Sequence, residues 1–468
     1  MNPRINYLLL ATALLGTFFS GMATRIVSIS MPTVASSLGT DLIGISWALL
    51  AYQLSNIGLS IIFGRISDIW GREKIFALGF LVFSLSSLFC GLSQAIIQLI
   101  LSRLVQGVGG AMLQSSSRAL AAESVPEELA GRAQGYMTTA HHIGFVLGPS
   151  IGGFMIDYLS WRWSFFLLVP IGVCGALLTL ANFKPRLAAS RRQGVSIDYL
   201  GAALLMSTTT TLVLIFDRRT HEIIGTHLKI ALAVLFLGCL TGLIVHESKT
   251  KSPFIRLDLF KIRRFSFSVI SLLIIAVCYA LTGFLMPFYL QDILGFSPTA
   301  VGLIFMVPSI LTVGLAFVSG YLSDRLGPRV PATLGAAIMV ASLGAGTLLR
   351  TDSHWFVPTL LIVLGAMTNG IFNPANSTAM IGMMPREHRG FASAMNHVTF
   401  GLGNVLGVAS GSFLMTSAFE RHTGLVGASP TTDDPTAFVA ALTTTFLAAA
   451  VLSLGAVAAS VARGNGKP

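Results

Sequence analysis

Long apolar stretches separated by short polar connections recur along the whole chain. The first stretch runs from Leu8 to Met31. At a rise of about 1.5 Å per residue, a helix of this length crosses a hydrocarbon core of about 30 Å. The stretch is longer than the apolar core of a signal peptide, and no small-residue cleavage site follows it. We therefore predict that it is a retained first membrane span.

Similar stretches continue to the end of the chain, and they predict an all-α polytopic membrane protein with about 14 transmembrane helices. The predicted spans cover residues 8–31, 43–63, 75–95, 97–121, 134–156, 163–183, 198–216, 228–246, 266–290, 298–319, 330–349, 355–380, 391–417 and 437–461. An even number of spans places both termini on the same side of the membrane.

The composition agrees with a chain surrounded by lipid. Of the 468 residues, 53% are hydrophobic and only 10% are charged, whereas an ordinary soluble domain has about a quarter charged residues. This excludes a soluble protein. The net charge of +11 does not indicate a nucleic-acid partner, because the basic residues fall in short clusters between apolar stretches. The four cysteines lie singly within apolar stretches, so neither a disulfide nor a metal site is predicted.

The basic residues are distributed unevenly between the two faces of the membrane. Of the 30 lysines and arginines, 21 fall on the face that holds both termini and six fall on the other face. Because Lys and Arg concentrate on the cytoplasmic side, we predict cytoplasmic termini and a multi-pass protein of the plasma (inner) membrane. The remaining three, Arg25, Arg103 and Arg118, fall within spans.

Two segments of the chain resemble each other. Residues 64–72 and 320–329 share a Gly-x3-Asp pattern, and Asp68 and Asp324 lie 256 residues apart. A second pair of similar segments, which begin at Pro126 and Pro385, lies 259 residues apart. Two matches at nearly the same offset predict two homologous halves. The predicted domains are an N-terminal six-helix bundle (1–186), two inserted transmembrane helices with cytoplasmic flanking loops (187–262), and a C-terminal six-helix bundle (263–468).

The first of these segments carries a charge cluster at a predicted helix end. The segment contains Gly64, Asp68, Gly71 and Arg72, of which Asp68 and Arg72 carry the charges. The corresponding charged residues of the second copy are Asp324 and Arg325. Such a cluster can be paired in one conformation and broken in another. The segment resembles the cytoplasmic signature of the major facilitator superfamily, and that resemblance implies a conformational gate. The first copy departs from the signature at Ile69, where the second copy has Arg325.

Small residues punctuate the fifth predicted span. They are Gly135, Gly144, Gly148, Pro149, Gly152 and Gly153. Proline removes a backbone donor and bends a helix, and glycine allows two backbones to approach closely. The spacing resembles the motif that distinguishes antiporters from symporters in the same superfamily, which implies export. The alternative is a small-residue packing face without a role in transport.

The fourth predicted span contains an arginine, Arg103, followed by Gln106 and a run of glycines. A charge within a span normally faces a cavity or a partner, because hydrocarbon does not solvate it. This segment resembles the family motif whose arginine is linked to proton coupling. Across its length the chain resembles the fourteen-span drug:proton antiporter branch. That resemblance implies export of amphiphilic, often cationic drugs, with the proton gradient as energy source and no bound cofactor.

The first span departs from that branch. Ala23 stands where the branch has an aspartate, and Arg25 replaces a threonine. None of the 19 acidic residues lies in the middle of a predicted span. Two arginines without a counter-acid favour an anionic group on the ligand. We therefore keep a second hypothesis, in which Arg25 and Arg103 bind an organic anion or a lipid-like substrate. In the alternative, Arg25 bonds span-end carbonyls and never meets substrate.

Two further groups of polar residues lie within predicted spans. His141 and His142 are candidates for carrying protons, because imidazole titrates near neutral pH, although a hydrogen-bonded structural role remains open. Asn369, Asn373 and Asn376 recur at helical spacing and indicate one polar face, as expected for a wet cavity. Bonding between helices is the alternative for each asparagine.

Taken together, these features predict a gradient-driven exporter of small molecules. No phosphate-binding G-x4-G-K-[ST] segment is present, so we expect no use of ATP. The chain is expected to be a monomer in membrane lipid and not an enzyme, since an enzyme would need clustered carboxylates, histidines or a nucleophile at one depth. A non-transporting membrane sensor is the remaining alternative, and it would require a sizeable soluble domain.

Overall fold

A computed structural model describes residues 6–126, 129–181, 198–217, 226–250, 255–382, 384, 389–425, 430 and 434–464. The predicted domain boundary at residues 186 and 187 lies outside these ranges. So do Glu127, Pro385 and Arg386 of the second pair of repeated segments. The division into six, two and six helices therefore stays a prediction.

The first part of the chain forms seven helices. They are α1 (Tyr7–Ser37), α2 (Leu42–Trp70), α3 (Arg72–Leu92), α4 (Ile96–Glu123), α5 (Ala130–Tyr158), the short α6 (Trp163–Phe166) and α7 (Leu168–Ala181). Each predicted span up to residue 181 coincides with one of these helices, except that α6 and α7 together make the sixth.

Eight helices follow in the rest of the described chain. They are α8 (Tyr199–Phe216), α9 (Thr226–Lys249), α10 (Arg263–Phe288), α11 (Pro298–Leu326), α12 (Arg329–Gly346), α13 (Phe356–Gly382), α14 (Arg389–Thr423) and α15 (Pro435–Ala462). A 3₁₀ turn (Leu257–Lys261) precedes α10, and a π-helical turn (Tyr289–Ile293) follows it.

Thirteen helices in the described ranges are long and apolar enough to cross a membrane. The fifth predicted span, 134–156, is present as helix α5 but lies outside that set, because His141, His142 and several hydroxyl residues reduce its mean hydropathy. Counted with α5, the helices agree with the prediction of about 14. The all-α, multi-pass fold is confirmed.

Local sequence signals set several helix ends. The side chain of Asn6 caps α1 by accepting a hydrogen bond from the backbone N–H of Leu9 at 3.1 Å. The side chain of Asp434 caps α15 by accepting one from Ala437 at 3.0 Å, and this bond lowers the pKa of the Asp434 carboxyl. Gly71 (φ +102°) and Gly327 (φ +79°) make the tight turns in the two copies of the signature, where a side chain would be strained.

The chain divides into two compact units. Unit 1 comprises Met1–Thr40, Trp47–Ser207 and Ser297–Gly302. Within it α1 packs along α5, and α3 packs on α4 and α7. Unit 2 comprises Asp41–Ser46, Thr208–Phe296 and Leu303–Pro468. Within it α12 packs on α13 and α15, and α10 packs on α14 and α15.

Candidate functional site

The glycines of the fifth span place the backbones of α5 and α1 in direct contact. A methyl group at Gly148 would lie 2.9 Å from the carbonyl oxygen of Met22, and one at Gly152 would lie 2.8 Å from that of Ile26. A methyl group at Gly144 would overlap the carbonyl oxygen of Phe18. Because these glycines are spaced four residues apart, they form one line down a face of α5. Any larger residue would push the two helices apart.

The other members of that motif have different surroundings. Gly153 faces the carbonyl of Pro298 at the start of α11, and the carbonyl of Pro149 faces Gly302, also in unit 1. Nothing lies within 4 Å of a methyl group placed on Gly135. Of the five glycines of the motif, Gly135 is therefore the one where packing does not require glycine.

Arg103 is enclosed inside unit 1, with only 2% of its surface exposed. Its Nε donates to the carbonyl oxygen of Ala48 at 3.1 Å, and its Nη1 donates to the side-chain oxygen of Gln106. The amide of Gln106 in turn donates to the Ser87 hydroxyl at 2.7 Å. The guanidinium also lies over the ring of Tyr52, with 4.3 Å between its Cζ and the ring centroid. No carboxylate in the described chain pairs with Arg103.

Arg25 has a more open position on α1. Its side chain is half-buried, and its Cζ lies 4.2 Å from the centroid of the Phe145 ring on α5. Phe145 also approaches His141, with 6.2 Å between ring centroids, and the rings of His141 and His142 are 5.9 Å apart. Phe145 therefore lies next to both Arg25 and His141, and His142 is the neighbour of His141 in the sequence.

In the first copy, the predicted gate residues Asp68 and Arg72 form an ion pair, and Arg72 forms a second one with Glu123. Arg72 at the start of α3 donates to Asp68 through Nε at 3.0 Å and Nη2 at 2.7 Å. Its Nη1 pairs with Glu123 at the end of α4 at 2.7 Å. We call Asp68, Arg72 and Glu123 the signature cluster. A methyl group placed on Gly64 would make only an ordinary contact, at 3.9 Å from Ser115.

The second copy has no such cluster among the described residues. Asp324 is exposed and makes no ion pair within them, and the guanidinium of Arg325 lies 4.5 Å from the ring of Tyr321. The two copies are therefore similar in sequence but make different side-chain contacts.

Two of the three predicted asparagines bond to each other. The amide of Asn373 donates to the side-chain oxygen of Asn369 one turn earlier on α13, and both side chains are half-buried. Asn376, in contrast, is fully buried. Its side-chain oxygen accepts a bond from Nη1 of Arg463 at 2.7 Å.

Arg463, one residue beyond α15, is the functional candidate that sequence analysis missed. Only 3% of its surface is exposed, and its guanidinium also donates to the Ser268 hydroxyl at 3.1 Å and to the Pro328 carbonyl at 3.4 Å. Burial and the neighbouring charge of Arg329 lower the pKa of Arg463 to about 10, so it stays charged at neutral pH. We call Arg463, Asn376, Ser268 and the Pro328 carbonyl the Arg463 cluster.

Glu247 lies near the end of α9, just past the predicted eighth span. It is more deeply buried than that position indicates. Its surface is 3% exposed, and its Oε2 accepts the backbone N–H of Ile255 at 2.9 Å. The ranges of the chain that the structure describes hold no group of three His, Cys, Asp or Glu side chains that could bind a metal.

Comparison with known proteins decides the family. The model of the Major Facilitator Superfamily matches residues 13–408, with a second match over 268–465. The chain belongs to the major facilitator superfamily. As a member of that superfamily it is a membrane transporter of small molecules.

This facilitator resembles several curated bacterial transporters. It is 28% identical to the riboflavin transporter RibZ of Clostridioides difficile, over 89% of this chain and 91% of RibZ. It is 29% identical to the uncharacterized transporter YebQ of Escherichia coli, over 86% and 87% of the two chains. It is 28% identical to the putative multidrug resistance protein MdtD of Salmonella typhimurium, over 88% and 86%.

Solved structures share the fold of this facilitator. A bacterial homolog of the human lysosomal transporter Spinster, in an inward-facing and occupied conformation, aligns with a TM-score of 0.70 at 17% identity. That alignment covers 98% of this chain and 96% of the other. The nucleoside transporter NupG aligns with a TM-score of 0.69 at 11% identity, over 99% and 100% of the two chains.

Proposed function

We propose that this facilitator is a secondary active exporter that moves amphiphilic small molecules in exchange for protons, by alternating access of its two halves. The observation that carries the proposal is the glycine line of α5 against α1. Gly144, Gly148 and Gly152 hold two backbones together without intervening side chains, and Pro149 removes one helix hydrogen bond in the same stretch. This supports the antiporter resemblance beyond the spacing alone.

The names of the relatives favour drug-like substrates. MdtD is named as a putative multidrug resistance protein and RibZ as a riboflavin transporter, and both cover most of this chain. Riboflavin and many drugs are flat and amphiphilic. We therefore propose an amphiphilic aromatic substrate.

The proposed roles follow the surroundings of each residue. Arg25 and the Asn369–Asn373 pair are half-buried, and we propose that they contact substrate. His141 and His142 are proposed to carry protons. Arg103 and Gln106 are proposed to serve coupling from an enclosed position, and the signature cluster is proposed to act as the conformational gate.

The remaining parts of the proposal concern the membrane. We propose a plasma (inner) membrane protein with both termini in the cytoplasm, on the basis of the uneven distribution of Lys and Arg. We propose a monomer that uses no ATP. We also propose that two inserted helices separate two homologous six-helix bundles.

The test is transport in proteoliposomes under an imposed pH gradient, with ethidium, riboflavin and fluorescein as cationic, neutral and anionic probes. We expect gradient-driven movement of ethidium or riboflavin that stops when the gradient is collapsed. Replacement of Gly148 by Leu should abolish this transport, because the side chain would strike the backbone of Met22. Gly135→Ala is the matched control. Transport unaffected by the pH gradient would contradict proton antiport.

A second candidate is export of an organic anion or a lipid-like substrate, and the position of Arg25 favours it. A guanidinium over the Phe145 ring presents a cation beside an apolar surface, which suits an anionic head on an apolar body. Arg103 already has three partners of its own, so in this proposal Arg25 is the primary ligand.

The Arg25→Ala variant separates the two candidates. If the substrate is an anion, the variant should lose transport of fluorescein and keep that of ethidium. Arg421→Ala, which removes an exposed arginine, is the control. Fluorescein transport at the wild-type rate in Arg25→Ala would eliminate the ligand role of Arg25.

A further inference from the structure

Arg118, near the end of α4, is the third arginine that lies within a predicted span. Its side chain is exposed, and its guanidinium forms no hydrogen bond or ion pair with any residue that the structure describes. Arg103, earlier on the same helix, is enclosed and bonds to Ala48 and Gln106. The two arginines of α4 therefore differ, because Arg103 is held by the protein and Arg118 is available to a ligand.

Arg118 lies on the side of α4 that faces away from α3. A methyl group on Gly109 would lie 2.6 Å from the backbone nitrogen of Phe83, so Gly109 marks the side of α4 that packs on α3. Arg118 follows about two and a half helical turns later, and it therefore projects in the opposite direction. The amide of Gln134 donates to the Arg118 carbonyl at 3.2 Å, which places this part of α4 beside the beginning of α5.

The acids on the surrounding helices are engaged elsewhere. Helices α1, α2, α4 and α5 contain only three acidic residues. Asp68 and Glu123 both pair with Arg72. Asp157, at the far end of α5, accepts a backbone N–H at the start of α11 at 2.8 Å. A cation within a span that lacks a counter-charge favours an anion on a ligand.

One face of α5 leads from Arg118 toward Arg25. Four residues recur along it at helical spacing, namely Gln134, Thr138, His141 and Phe145. Thr138 is exposed and the other three are half-buried, so a ligand has access along this face. Gln134 contacts the backbone of Arg118, and Phe145 lies beneath the guanidinium of Arg25. At about 1.5 Å per residue, these two ends of the face are about 16 Å apart.

We propose that Arg118 is a second binding site for the anionic group of the substrate, which is a carboxylate, sulfate or phosphate. A guanidinium suits these groups because it can donate to two of their oxygens at once. In the proposed orientation Arg118 lies toward the cytoplasm, so an exported anion meets it before it meets Arg25. The inference rests on the second candidate function, export of an organic anion.

The experiment measures binding of two probes, the anion fluorescein and neutral riboflavin, to the protein in phosphatidylcholine nanodiscs by fluorescence anisotropy. The readout is the ratio of the two affinities, because a structural defect would weaken both probes alike. Arg118→Gln should lower the preference for fluorescein about tenfold, as expected for the loss of one charge-assisted hydrogen bond. Arg118→Lys keeps the charge and should keep most of the preference.

Arg132→Gln is the matched control. Arg132 is also an exposed arginine at this end of unit 1, but it lies on the opposite side of α5 from Gln134. Its removal should change the preference by less than about twofold. Equal changes in Arg118→Gln and Arg132→Gln would overturn the inference, since surface charge in general would then explain both. An equal loss of both probes in Arg118→Gln would also overturn it.

The head groups of anionic lipids carry the same chemistry, and nanodiscs that also contain phosphatidylglycerol distinguish the two sources. A preference for fluorescein that persists in these nanodiscs supports the inference. A preference lost in wild type alone, with Arg118→Gln unchanged, would assign Arg118 to a lipid head group and overturn it.

Failure of the proposed function has a different signature. A wild-type protein that binds fluorescein through Arg118 but does not transport it under a pH gradient would contradict export of an organic anion and leave the anion site in place. Absence of fluorescein binding in wild type would overturn the inference and the second candidate function together.

Discussion

The two copies of the signature are secured by different physical means. In the first copy, Arg72 joins the ends of α2, α3 and α4 through ion pairs with Asp68 and Glu123. In the second copy, the Pro328 carbonyl at the start of α12 accepts a bond from Arg463, a cation that bonds otherwise to neutral hydroxyl and amide oxygens. Both arrangements fasten helix ends with an arginine, but only the first uses acids.

The difference in exposure decides how much each arrangement contributes to stability. The side chains of Asp68, Arg72 and Glu123 are 31%, 29% and 42% exposed, so water and salt weaken their attraction. Arg463 is enclosed, and its removal would take the charged donor from the buried oxygens of Ser268 and Asn376, leaving the Asn376 oxygen with only the Ser271 hydroxyl at 3.5 Å. Exposed ion pairs can open at little cost, as a gate requires, whereas the enclosed cluster suits permanent attachment.

The largest expected effect is that of Arg463→Ala. The substitution removes the charged donor of the buried oxygens of Asn376 and Ser268, and it should lower the free energy of unfolding by about 2–4 kcal/mol. Arg72→Ala should lower it by less than about 1 kcal/mol. Thermal unfolding of the purified proteins in detergent measures both, with Arg421→Ala as the exposed control. Equal changes in Tm for Arg463→Ala and Arg72→Ala would contradict the claim that the enclosed cluster contributes more to stability.

A smaller effect is expected from Asn376→Asp, which gives the Arg463 cluster an acid. The new carboxylate would still accept from Arg463, so we expect a change in stability of about 1 kcal/mol or less. Combined with Arg463→Ala it should be more harmful than Arg463→Ala alone, because an acid would then be buried without a cation. Tm values of the two single variants and the double variant form the cycle that measures this coupling.

Salt should distinguish the two clusters more finely. The Debye length falls from about 10 Å at 0.1 M to about 3 Å at 1 M, which screens exposed pairs. The difference in Tm between wild type and Arg72→Ala should therefore shrink as salt is raised. The difference between wild type and Arg463→Ala should stay constant. A salt-sensitive Arg463→Ala difference would show that water reaches the Arg463 cluster.

The smallest effect concerns the helix caps of the two units. The hydrogen bond from Ala437 lowers the pKa of Asp434, so its stabilisation of α15 is present above the ordinary carboxyl pKa and is lost as pH falls through the folded value. Asn6, which caps α1, has no titrating side chain. We expect the difference in Tm between wild type and Asp434→Asn to shrink as the pH falls from 7 to below the ordinary carboxyl pKa of 3.8. No such pH dependence should accompany Asn6→Ser.

The fold was predictable because length and hydropathy suffice to identify membrane spans. The glycine line was predictable as well, since its four-residue spacing is a property of one helix. Contacts between residues that are far apart in the sequence were not predictable. Glu123 lies 51 residues from Arg72, and nothing near it in sequence indicates that pair. The sequence alone predicts Arg463 only as one cytoplasmic charge among many and Asn376 as part of a wet face, because the residues that bond to them lie on other helices.

The polarity of α5 has a consequence for how the chain enters the membrane. Helix α5 lies outside the set of helices that are long and apolar enough to cross a membrane, and its Gly144, Gly148 and Gly152 pack against the backbone of α1. We therefore expect α5 to insert into the membrane against α1. If α5 failed to insert, every later span would cross the membrane in the opposite direction. The correct orientation of the whole C-terminal part thus depends on a contact between the first and fifth helices.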